Sequence, residues 1–62
     1  MNIGKYIKKA REENGWTQKK LADKLNCKQP YISALESNST VSIEQLSKVA
    51  DVLDKHIIYF MR

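Results

Sequence analysis

Cys27 is the only cysteine in this chain, and that constrains the fold more than any other single feature. A chain of 62 residues has room for one core. Chains this short commonly lean on disulfides or a metal to hold it. One cysteine forbids an intramolecular disulfide. With a single histidine, His56, it cannot supply a zinc site built on cysteine pairs. Packing must therefore hold the fold, within the chain or shared with a second copy. Two Gly and one Pro leave little turn material for β structure. The expectation is one all-α domain over residues 1–62, with no metal and no cofactor.

Hydrophobic spacing divides the chain into helices. Ile3, Ile7, Ala10 and Arg11 share one face at helical spacing, and the rest of that segment is rich in Lys, Arg and Glu. Gly15 stands where a left-handed residue closes a helix, which predicts a first helix over 3–14. Thr17 can cap a second by accepting a backbone N–H two or three residues on. Leu21, Ala22 and Leu25 form its apolar face, and Asn26 is a left-handed stop, giving 18–25. Pro30 is tolerated only in a first turn, so a third helix opens near Lys28 or Gln29 and runs over 29–36. Ile32 and Leu35 face inward there, and a polar loop follows through Thr40. Ser42 and Gln45 form a capping box ahead of the stripe Ile43, Leu46, Val49, Ala50 and Leu53, predicting a helix over 43–53.

The end of the chain breaks this pattern. Ile57, Ile58, Tyr59, Phe60 and Met61 are a continuous apolar run rich in β-branched and aromatic types. Such a run reads as a strand. A lone strand has no partner in a helical monomer, and its open edge would be a hazard. Pairing with the same segment of a second copy resolves this, antiparallel across a two-fold axis. Segment 55–62 is thus expected to be a dimerisation element built on Ile57, Ile58, Tyr59, Phe60 and Met61. The alternative is a short fifth helix that completes the core.

Two short helices, a tight turn at Asn26 and Cys27, and a third helix that opens on polar residues make a helix-turn-helix over about 17–36. In such a motif one helix lies across a sugar-phosphate backbone while the next presents its polar start to a major groove. Ala22 is small enough to let the two helices approach, and Leu21, Leu25, Ile32 and Leu35 fill the joint. The charge agrees. Eleven Lys and Arg against seven Asp and Glu give +4, and an isoelectric point near 9.4 suits a polyanion partner.

The stretches Gly15-Trp16-Thr17-Gln18, Leu21-Ala22-Asp23-Lys24-Leu25, Gln29, Ile32-Ser33 and Leu35-Glu36 resemble the Cro/lambda-repressor-like (XRE) helix-turn-helix family. The resemblance covers about residues 3–54. Within that family the Trp16 stretch, the Lys28-Gln29 start and the apolar tail most resemble HipB-type antitoxins, which are dimeric autorepressors that also hold a kinase toxin. The family's fold is a compact lambda-repressor-like domain of four to five helices. Its implied function is sequence-specific binding of double-stranded DNA by a homodimeric repressor or autorepressor reading a palindromic operator. An antitoxin that neutralises a partner toxin is the alternative. A restriction–modification controller or a Cro-like switch would carry the same motif.

The resemblance also implies roles. Lys28, Gln29, Pro30 and Ser33 would touch bases. A Gln amide can pair with adenine N6 and N7, and Pro30 offers only an apolar surface such as a thymine methyl would meet. Thr17, Gln18, Lys20, Tyr31, Asn38, Ser39 and Thr40 would hold phosphates, with Gln18 also buttressing the third helix. Arg11 and Glu36 would form a partly buried ion pair tying the first helix to the end of the third. The chain departs from the family in three places. Asn26 replaces a common Gly, Lys28 stands where a Ser or Thr cap is usual, and Ala34 stands where many relatives carry Arg or Lys.

Other conspicuous residues read more simply. Trp16 is a packing cap over the first corner. Cys27 is a small hydrophobe. His56 is an ordinary exposed or hydrogen-bonded histidine, and Lys8, Lys9, Lys19 and Lys24 form a solvated face. No base–nucleophile pair, glycine loop or carboxylate cluster points to an enzyme. No apolar run reaches the roughly 18 residues of a membrane span. The opening Met-Asn-Ile-Gly-Lys lacks a signal-peptide core, so a cytoplasmic, nucleoid-associated protein is expected.

Overall fold

The computed structural model describes residues 2–38 and 40–61. Four α-helices, α1 (Ile3–Glu13), α2 (Gln18–Leu25), α3 (Gln29–Ser37) and α4 (Ile43–Leu53), are followed by a 3₁₀ helix, Ile57–Met61. The expected helix boundaries hold to within a residue. Ser39, expected at a phosphate, lies outside the described residues.

Capping chemistry explains most of the boundaries. The side chains of Asn2, Thr17 and Ser42 accept the backbone N–H groups of Lys5, Lys20 and Gln45. Three helices then end alike. Gly15, Asn26 and Asp54 take left-handed φ values of 73°, 58° and 57°. In each case the next residue's N–H reaches back five residues, from Trp16 to Arg11, Cys27 to Ala22 and Lys55 to Ala50. Lys28 starts α3 in extended backbone with no side-chain cap, and Pro30 sits in its first turn.

The core joins Ile3, Ile7 and Ala10 of α1, Leu21 and Ala22 of α2, Ile32 and Leu35 of α3, Leu46, Val49, Ala50 and Leu53 of α4, and Phe60. Trp16 and Cys27 pack against its edge. Ile43 departs from the expected stripe. It opens α4 beyond the edge of the core and is 60% exposed.

The tail is not a strand. Asp54 turns the chain back on itself, so the run after it closes over α1 and α4 instead of extending away. A 3₁₀ turn pairs backbone locally, with Tyr59 N–H donating to the His56 carbonyl at 2.9 Å. His56 Nδ1 accepts the Ile58 N–H at 3.2 Å. Phe60 is 0% exposed and fills the chain's own core, which removes it from the expected dimer interface. Tyr59 meets Tyr6 and Phe60 edge-on and donates its hydroxyl to Glu13 at 2.9 Å. Among the described residues there is no strand, and no helix is long and apolar enough to cross a membrane.

Candidate nucleic-acid interface

The turn after α2 aims the start of α3 outward. Asn26 stops α2 by going left-handed, Cys27 bonds back to Ala22, and Lys28 re-enters in extended backbone. Ile32 and Leu35 then anchor α3 to the core, while Lys28, Gln29, Pro30 and Ser33 are all exposed. The four residues expected to touch bases therefore share the accessible side of one helix start. Tyr31 is exposed beside them, and its hydroxyl accepts from Gln45 Nε2 on α4. Thr17, Lys20, Asn38 and Thr40 are exposed around this face, and Gln18 is half-buried.

A polar chain runs from the interior to Gln29. Arg11 Nε donates to Glu36 Oε2 at 2.6 Å and its Nη2 to Oε1 at 3.3 Å, while Nη1 donates to the Trp16 carbonyl at 2.7 Å. Arg11 is buried and Glu36 half-buried, so the pair is partly buried as expected, with side chains 9% and 4% exposed. Gln18 Nε2 donates to Glu36 Oε1 at 3.0 Å, and Gln29 Nε2 donates to Gln18 Oε1 at 3.3 Å. The expected Arg11–Glu36 pair, Gln18 and Gln29 thus form one connected path.

The cations near this face are largely uncommitted. Lys19 pairs with Asp23 and Lys55 with Glu13. Lys28, Lys20 and Lys24 make no ion pair among the described residues, and Lys20 and Lys24 each place Nζ 6.0 Å from the Trp16 ring. A cleft of about 240 Å³ between the turn and α4 is lined by Leu25, Cys27, Tyr31, Gln45, Lys48 and Val49. Burial there pushes the Cys27 thiol above its ordinary pKa, so it stays protonated. No group of His, Cys, Asp and Glu among the described residues could hold a metal.

Three supports escaped sequence reasoning. The Gly4 N–H donates to the Asn38 carbonyl at 2.9 Å, docking α1 on the end of α3. Asn14 Nδ2 donates to the Leu53 carbonyl at 3.2 Å. The Tyr31–Gln45 bond ties α4 to α3. Each depends on a partner distant in sequence, and no local signal marks it.

A helix-turn-helix family model matches residues 7–60. The HTH-type transcriptional regulators SinR of Bacillus subtilis (strain 168) and of Bacillus licheniformis are each 41% identical over 54 residues, covering 84% of this chain. The chain spans 49% of the length of those two proteins. Among solved structures, the biofilm master regulator SinR in complex with DNA superposes with a TM-score of 0.84 at 35% identity, covering 97% of this chain and 98% of that one. A point mutant of the restriction–modification controller protein C.Esp1396I gives 0.84 at 37% identity, covering 95% of this chain and 80% of its own. These likenesses do not support the finer resemblance to HipB-type antitoxins.

Proposed function

We propose, since this chain belongs to the XRE-type helix-turn-helix family, that it is a sequence-specific double-stranded DNA-binding transcriptional regulator acting as a homodimeric repressor on a palindromic operator. The observation that carries this reading is the single exposed face of Lys28, Gln29, Pro30 and Ser33, held on a buried joint and open to solvent. That SinR is known in complex with DNA supports it. Gln29 and Ser33 read base edges, Lys28 reaches a guanine or a phosphate, and Pro30 offers apolar contact. Thr17, Gln18, Lys20, Tyr31, Asn38, Ser39 and Thr40 hold the backbone on either side.

Two copies supply the affinity that a helix with few charges lacks. Ile58 and Met61 are 66% and 43% exposed on the 3₁₀ helix, with Ile57 and Tyr59 half-buried beside them. This apolar rim, without Phe60, is the dimer interface. A pair doubles the charge, and each α3 enters a major groove about one helical turn from its mate. Selection of bound duplexes from a random pool at fixed salt tests the reading. A palindromic consensus whose binding falls steeply as salt rises supports it. Binding with no sequence preference would overturn it.

A further inference from the structure

We propose that the cleft between the α2–α3 turn and α4 binds a small apolar carboxylate, a single ring carrying a carboxyl group. Its inner wall is Val49, which is buried, with Leu25 and Cys27, which are half-buried. Tyr31, Gln45 and Lys48 complete the lining, and Tyr31 and Lys48 are exposed at the mouth. The hydrogen bonds there engage the side-chain acceptors and leave donors open. Ser42 Oγ accepts the Gln45 backbone N–H at 3.2 Å and donates to Gln45 Oε1 at 3.2 Å. The amide oxygen is thereby held at the helix cap, and the NH₂ turns to Tyr31, whose oxygen accepts from it. A phenol that accepts in this way still has its proton to give, and the Gln45 NH₂ has a second N–H. Lys48 makes no ion pair among the described residues and adds an ammonium group.

Three open donors, one of them charged, suit a group that only accepts, as an ionised carboxylate does. Inorganic phosphate would meet the same donors but leave the apolar wall wet. A hydrocarbon would cover the wall and leave the donors unmet. Size narrows the choice further. An aliphatic cavity of about 150 Å³ takes up benzene, so about 240 Å³ holds one ring and its carboxyl group. Occupancy reaches the DNA face through Tyr31, a step that rests on the proposed function, in which Tyr31 holds a phosphate. A carboxylate on the Tyr31 hydroxyl takes that donor and sets a negative charge where the duplex brings its own. Ligand and DNA therefore compete.

Cys27 is the only cysteine in the chain, so its alkylation reports on the cleft alone. The experiment measures the rate with iodoacetamide for the full chain and for K48M, against benzoate, benzamide and inorganic phosphate, with chloride matching the ionic strength. Benzoate is expected to slow alkylation saturably, by roughly tenfold at ten times its dissociation constant. Benzamide should need about three- to tenfold more ligand for the same protection, the contribution of one charge-assisted contact near the surface. Phosphate should protect little. K48M alters an exposed side chain and should erase the difference between benzoate and benzamide. No saturable protection, or protection by benzamide or phosphate equal to that by benzoate in the parent chain, overturns the site. Benzoate should also weaken binding of the selected duplex over the same concentration range, and K48M should resist that loss. Protection of Cys27 with duplex affinity unchanged overturns the competition. The thiol assay uses no DNA, so a parent chain that selects no consensus ends the DNA reading while the site stands or falls on Cys27.

Discussion

The backbone of Gly4 lies against the carbonyl of Asn38, so close that a Cβ built on Gly4 would stand 2.2 Å from that oxygen. The Leu35 and Glu36 carbonyls would be met at 2.5 and 2.7 Å. All three are backbone atoms at the end of α3 and cannot swing aside. In an open helix Gly4→Ala would gain up to about 1 kcal/mol. Here the clash reverses the sign. Denaturant titration should show a loss of about 1–3 kcal/mol, the usual range for forcing atoms into filled space. A variant as stable as the parent would mean that α1 does not dock this way.

The Arg11–Glu36 side chains are largely withdrawn from water, so the weak energetics of surface pairs do not apply. Arg11→Met strips Glu36 of its counter-ion while leaving it buried, and should cost about 3–5 kcal/mol. Replacing Glu36 with Leu as well removes the stranded charge. The double variant should therefore be more stable than Arg11→Met alone, as a double-mutant cycle by thermal or denaturant unfolding would show. Simple addition of two losses would contradict this account.

How far the sequence could be read follows from where each signal resides. Thr17, Ser42, Gly15, Asn26 and Pro30 act on backbone groups a few residues away, so their chemistry is visible in a short window. Asp54 ends α4 in the same left-handed way as Gly15 and Asn26. Asp is an uncommon choice for that role, and it reads as an ordinary surface residue. That single turn redirects the tail, which takes the alternative form, a short helix that completes the core, and not the expected strand. Five apolar residues in a row carry no period, so they fit a strand or a tight helix equally until Phe60 is seen to fill the core. Ile43 follows the helical period but lies at a helix start, past the core's edge. The four exposed residues of the α3 face were legible because the helix-turn-helix geometry is written in local capping and spacing. That Gln18 buttresses α3 is expected from the resemblance, but its partners there, Glu36 and Gln29, are set only once α2 and α3 are packed.

Glu13 gives the fold an acid-sensitive clasp. Its carboxyl is held below its ordinary value of 4.5, first by the hydrogen bond from the Tyr59 hydroxyl and then by Lys55. A carboxylate whose pKa is lower folded than unfolded adds stability above the unfolded value and loses it as pH falls through the folded one. The tail's attachment to α1 should therefore weaken as pH drops below about 4.5. Unfolding midpoints from pH 7 down to 3 should fall less steeply for Glu13→Gln than for the parent. Parallel curves would show that Glu13 does not clasp Tyr59 in solution.

Base and backbone contacts should separate by the pattern of loss. Gln29→Ala should cost about 1–3 kcal/mol of discrimination at one base position. Lys20→Ala should weaken binding to all sequences alike and reduce the dependence on salt by about one counterion. Competition binding against a set of single-base variants at two salt concentrations distinguishes these outcomes. An even loss for Gln29→Ala would place that residue outside the base-reading set.

Ile58 and Phe60 stand two residues apart in one 3₁₀ turn, yet one is 66% and the other 0% exposed. The turn thus separates holding the core from the proposed contact with a second copy, and the two roles would fail differently. Phe60→Ala empties a sealed site and should cost about 3–5 kcal/mol in unfolding. Ile58→Asp removes no core contact, so unfolding extrapolated to low protein concentration should change little. It places a charge on the apolar rim instead, and two such charges would meet across a two-fold axis. If the proposed dimer forms, sedimentation should show a dimer for the parent chain and a monomer for this variant, with weakened binding to a palindromic site and little change for a single half-site. A dimer that persists in Ile58→Asp would move the interface off the tail and onto another face of the molecule.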